Sequence, residues 1–148
     1  MTREKMPMTR RSVTHRAVIW TEAGRVKFFI TVGLYDAGRP GEIFLTCDES
    51  GSTLDGFCDC WAIAVSMLLQ EGTTIEKLVE KFGRQAFEPA GRSECAAVGM
   101  AYSVVDYVVR WLAAEFGESG ESGRDKKDGE EVCHDTDGDR GVVGGGSA

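Results

Sequence analysis

A chain of 148 residues is the length of one domain, and with 42% hydrophobic and 28% charged residues it has the make-up of an ordinary globular protein. The longest apolar run, Trp61 to Leu69, falls well short of the about 20 residues that cross a bilayer, and no apolar stretch follows the basic N-terminus. Both facts argue against a membrane span or a secretory leader and for the cytoplasm. The net charge of −7 disfavours general nucleic-acid binding by the folded part, because an acidic surface repels phosphates.

The charge is unevenly spread. Residues 1–16 hold five bases and one acid, residues 17–116 eight bases and fourteen acids, and residues 117–148 four bases and nine acids. Residues 1–12 lack hydrophobic periodicity and read as a flexible basic arm. Residues 13–116 form the candidate domain. Residues 117–148 are rich in Gly, Ser and acids and bury too little apolar surface to offset ordering entropy, so disorder is expected there.

Arg16 to Thr21 is rich in β-branched and aromatic residues and reads as a strand, followed by a turn at Glu22 to Arg25. Val26 to Tyr35 alternates, with Phe28, Ile30, Val32 and Leu34 on one face, and turn chemistry from Asp36 to Gly41 breaks it. Glu42 to Cys47 returns as a third strand. Short connections predict an antiparallel meander. The period then changes to that of a helix. Ser50 to Thr53 supplies cap candidates, and Leu54, Phe57, Cys58, Trp61, Val65, Leu68 and Leu69 form a stripe that ends at Gly72. Thr73 and Glu76 read as the capping box of a second helix, with Ile75, Leu78, Val79 and Phe82 facing inward. Gly83 to Gly91 is expected to be a loop, and a third helix is expected from about Ala96 to Phe116. The fold class is therefore α+β, a three-stranded antiparallel meander followed by three helices packed on one face of the sheet.

Each candidate site has a functional and a structural reading. Arg39, between Gly38 and the Pro40-Gly41 pair, could fork onto a phosphate, or the segment could be a tight inter-strand connection in which Gly41 and Pro40 serve the backbone. Gly51-Ser52-Thr53 could bind an anion or simply cap a helix. Asp55 and Asp59 share a helix face and could hold Mg²⁺ or lie solvated. Arg84, Glu88 and Arg92 flank the Phe87-Pro89 loop and could form a polar pocket with Asp106 and Arg110, which stand one helical turn apart and could equally be an ordinary i, i+4 pair. His15 could be a ligand or proton carrier. No nucleophile–base–orienter set is legible, so no catalytic residue is assigned. Five cysteines, Cys47, Cys58, Cys60, Cys95 and Cys133, without a CxxC pair, read as free thiols.

Several ordered blocks resemble the domain called TSCPD, the C-terminal domain of adenosylcobalamin (vitamin B12)-dependent ribonucleotide reductases. They are Ser12 to Arg16, Ile30 to Tyr35 with Gly38 to Phe44, and Gly51 to Leu54 with Gly56 and Asp59. Leu69 to Gly72, Phe87 to Pro89 with Gly91, Ser103 to Tyr107, and Arg110 to Leu112 complete the set. In that family the domain follows a large barrel that carries the thiyl-radical cysteine, the reducing cysteines and the cobalamin site. The resemblance implies an accessory, regulatory or assembly role in deoxyribonucleotide synthesis beside a reductase large chain, with adenosylcobalamin belonging to that partner and none bound by this chain. The residues themselves carry an alternative: an independent nucleotide-binding module, motivated by the Arg39 turn and the Arg84–Arg92 loop, or a dimeric interaction module that pairs through the exposed sheet face, in either case without catalytic activity. The Thr-Ser-Cys-Pro-Asp motif that names the domain does not occur, and Cys133-His134 alone cannot supply the four ligands of a zinc ribbon.

Overall fold

The computed structural model describes residues 2–117. The tail expectation, with Cys133 and His134, lies outside the described residues apart from Gly117. The chain forms β1 (Ser12–Thr21), β2 (Gly24–Leu34), β3 (Pro40–Cys47), α1 (Thr53–Gln70), α2 (Ile75–Phe82), β4 (Gly91–Ser93), β5 (Met100–Ala101) and α3 (Val104–Phe116). The α+β class and the β1–β3 meander follow the sequence pattern, and two short strands extend the sheet to five, in the order β3-β2-β1-β4-β5, every pairing antiparallel.

The period-two pattern decides which face is buried. Ala17, Ile19, Phe28, Ile30, Val32, Ile43 and Leu45 point inward and meet Cys58, Trp61, Val65 and Leu69 of α1 and Val104, Val108 and Leu112 of α3. β3 lies at the sheet edge, where unpaired backbone groups need cover. Ser66 of α1 supplies it: its Oγ accepts from Ile43 N–H at 2.9 Å and lies 3.2 Å from Ile43 O and 2.8 Å from Ala62 O.

Two expectations are corrected. The third helix starts at Val104, not near Ala96. Ala96, Ala97 and Val98 fit a helical stripe, but Gly99 turns with φ 66° and Met100–Ala101 pair with β4 instead. Ser103 caps α3, its Oγ accepting from Asp106 N–H at 3.0 Å. The cap of α2 is Thr74, not Thr73, because Thr73 N–H is already bonded to Leu68 O at 2.9 Å at the end of α1. The first residues contact the domain: Glu4 N–H donates to Gln70 O at 2.9 Å, Tyr35 Oη donates to Glu4 O at 2.8 Å, and Arg10 pairs with Glu42.

Candidate functional site

The structure brings three of the expected site residues together and turns them into a structural hub. The α3 cap places Asp106 in the first turn, fully buried. Its Oδ1 accepts from the backbone N–H of Arg84 at 2.7 Å, and its Oδ2 accepts from Tyr102 N–H and Arg110 Nη1, both at 3.0 Å. Arg84 therefore contributes its backbone, held at φ 63°, rather than its guanidinium. Arg110 continues outward, donating to Met100 O at 2.7 Å and to Val98 O. Ser103 Oγ donates to Gln85 O at 2.6 Å. A carboxylate this thoroughly used joins the α2–β4 segment, β5 and α3, and its lone pairs are spent on the fold.

The other expected residues are dispersed. Glu88 lines an apolar hollow of about 470 Å³ with Leu54, Phe57 and Phe87. Arg92 pairs with Trp20 and Met100 across the sheet and so points to its helix-free face. Arg39 sits at the other end of the molecule. Its guanidinium lies 4.3 Å from the Tyr35 ring centre, pairs with Glu4, and donates to Leu69 O at 3.2 Å. Gly41 has a packing reason: a Cβ there would stand 2.3 Å from Met6 Sδ and 2.5 Å from Tyr35 Cε2. The cleft beside Arg39, about 730 Å³, is also lined by Glu76 and Glu115, so a phosphate entering it meets carboxylates as well as a guanidinium already in use. Ser52 caps α1 through Asp55 N–H at 3.1 Å, while Asp55 Oδ2 accepts from the N–H of Gly51, the residue before the cap, at 2.9 Å.

His15 is anchored, with a ring nitrogen 2.8 Å from Tyr107 Oη and its ring stacked on Trp111 at 4.7 Å between centroids. Burial lowers its pKa, against the opposing Glu115 carboxylate, and burial raises that of Tyr107. Cys47 and Cys58 are buried against each other, the thiol of Cys58 pushed up to about 12 by burial, so neither offers a thiolate at neutral pH. Among the described residues no three His, Cys, Asp or Glu side chains cluster as a metal site.

Two surfaces lie apart from these residues, and sequence reasoning missed the first. One is the outward side of α1, where Phe57, Cys60, Ile63, Ala64 and Met67 succeed one another at helical spacing, with Ile63 63% and Met67 50% exposed. The signal was there: an 18-residue helix whose charged residues are Asp55 and Asp59, both in its first two turns, is apolar all round. The other is the helix-free side of the sheet, which the sequence already offered as a face for homodimerisation.

The TSCPD domain model matches residues 2–116. A vitamin B12-dependent ribonucleotide reductase from Rhodopirellula baltica is 42% identical over 114 residues, covering 77% of this chain and 11% of that protein. Reductases of the same name from Bradyrhizobium diazoefficiens and Streptantibioticus cattleyicolor are 40% and 39% identical over 115 and 114 residues, covering 77% of this chain and 9% and 18% of theirs. The chain thus spans roughly a tenth to a fifth of the length of these relatives. No solved structure matches. With the family model covering nearly the whole described domain, the chain belongs to the TSCPD domain family.

Proposed function

We propose that this domain serves a vitamin B12-dependent ribonucleoside-diphosphate reductase as an accessory module, docking on the reductase large chain through the outward side of α1 and supporting deoxyribonucleotide synthesis. The observation that carries the reading is the uncovered apolar stripe of Phe57, Ile63 and Met67, continuous with the hollow between Phe57 and Phe87. A stripe of that kind is the signature of a protein-facing surface. Its occupant is suggested by the relatives, in which the matching segment is a small part of a much longer reductase chain. The radical chemistry and adenosylcobalamin belong, on this reading, to the partner. The described residues supply no nucleophile–base pair, His15 is engaged by Tyr107 and Trp111, and Asp106 is spent on backbone donors.

The test is capture. Tagged protein mixed with a purified B12-dependent reductase large chain is expected to retain it, and the paired change Ile63→Asp and Met67→Glu is expected to abolish retention while leaving the melting temperature within about 2 °C, since both side chains are outward. Failure of the unaltered protein to retain the large chain overturns the proposal.

A further inference from the structure

The β-sheet separates charge in a way the linear sequence hides. The five strands contain four cations, Arg16, Arg25, Lys27 and Arg92, and one acid, Glu42. The three helices contain six acids and three cations. Strand register then decides where the cations go. Cross-strand partners share a face. Arg16 pairs with Phe29 and Phe29 with Thr46; Thr14 pairs with Thr31 and Thr31 with Phe44; Arg25 pairs with Trp20, Trp20 with Arg92 and Arg92 with Met100. His15, Ala17 and Ile19 point to the helices, so Arg16 and Trp20 point away from them. All four cations therefore stand on the helix-free face, together with three aromatic rings. Glu42 reaches this face as well, but it is paired with Arg10.

The rings are presented rather than buried: Phe44 is 53% and Trp20 48% exposed, and Phe29 is partly covered. Arg25 lies over the Trp20 ring, 6.0 Å from its centre, and Lys27 over that of Phe29 at 5.9 Å, so two of the three rings carry a cation on one face, where a phosphate next to a stacked base would sit. Acids touch the face at its rim, where Asp48 stands 3.6 Å from Lys27 and Glu94 accepts from the Trp20 indole at 3.2 Å. From strand spacing and rise, Phe44 and Phe29 are about 8 Å apart and Phe29 and Trp20 about 14 Å, so the rings are separate platforms along one diagonal.

From this we infer that the helix-free face of the sheet binds a short stretch of single-stranded nucleic acid, bases stacking on Phe44, Phe29 and Trp20 while Arg25, Lys27 and Arg92 neutralise phosphates. Open antiparallel sheets that bind single strands stack two or three bases on such rings, and base stacking is sequence-tolerant because every base has a π-face. A duplex does not suit the face, because its bases are already stacked on one another. The six acids of the helices lie on the other side of the sheet, and at about 0.1 M salt charges more than about 10 Å apart are largely screened.

The experiment is a fluorescence-anisotropy titration of a labelled twelve-residue oligothymidylate with the full chain at low salt. Saturable binding is expected, weakening about twentyfold between 50 and 200 mM salt if three phosphates are contacted. Phe44→Ala and Trp20→Ala are each expected to weaken binding at least about fivefold. Arg25→Ala with Arg92→Ala should flatten the salt dependence, and Ile63→Asp on α1 should leave binding unchanged. Thermal melts confirm that the variants are folded. Absence of an anisotropy change at 100-fold excess protein overturns the inference, as does binding that a duplex of equal length shares and that ignores Phe44→Ala. If the oligonucleotide fails to bind but Phe44→Ala abolishes capture of the reductase chain, the face is a protein dock and the inference is wrong.

Discussion

Asp106 shows how one side chain can hold a segment that has little core of its own. Its carboxylate is buried under two backbone donors and the Arg110 guanidinium. Asp106→Ala is expected to cost about 3–5 kcal/mol in denaturant unfolding, because three donors lose a charged acceptor at once. A loss under about 1 kcal/mol would show that water replaces it freely. His15 gives a pH signature. Burial holds its folded pKa below the ordinary 6.5, whereas in the unfolded chain the ring titrates at that ordinary value. Between the two, the unfolded state binds more protons, so the contribution of His15 to stability is complete above pH 6.5 and is lost as pH falls through the window below it. His15→Gln, which can keep a hydrogen bond to Tyr107, is expected to lose less stability than the parent between pH 7.5 and 5; parallel curves would remove His15 as the source. The thiols divide by burial. In a Cys133→Ser chain, iodoacetamide is expected to modify exposed Cys60 within minutes at pH 8, and buried Cys47 and Cys58 only after denaturant is added.

At the scale of elements, the short strands β4 and β5 decide the shape of the region that the sequence reads as a loop and a long helix. Gly91 is their weak point. A Cβ at that position would lie 1.8 Å from Trp20 O, so β4 reaches β1 only because residue 91 has no side chain. Gly91→Ala is expected to cost about 2–3 kcal/mol and to lower the melting temperature by roughly 10 °C. An unchanged melt would mean that β4 pairs loosely with β1. The long elements were legible: β2 and β3 from alternation, α1 from its stripe and Gly72, and α2 from its stripe to within one residue at the cap. β4 and β5 were not, because strands of three and two residues carry no period, and Ala96 to Val98 imitate a helical turn that Gly99 breaks.

For the whole molecule, the fold is a two-sided body with an apolar, acid-flanked helix layer and an aromatic, cationic sheet face. The two proposals use opposite sides and are separable by experiment: α1 changes should affect reductase capture alone, and sheet-face changes strand binding alone. A reductase chain held on α1 would leave the sheet face open to solvent.

The amino-acid sequence by itself determined the α+β class, the meander, the helical layer and membership of the TSCPD family, because these rest on local periodicity, turn chemistry and ordered motif blocks. It also marked Asp106 and Arg110 as a pair, since i, i+4 spacing on a helix is a local fact. Only the tertiary structure decided that Asp106 is buried and bonded to Arg84 N–H, that Arg39 is turned in on Glu4 and Leu69, and that four cations from three strands meet on one face. Those outcomes depend on strand register and helix docking between residues far apart in the chain. A net charge or a spacing cannot encode such contacts, because neither records which face a residue shares with a distant partner.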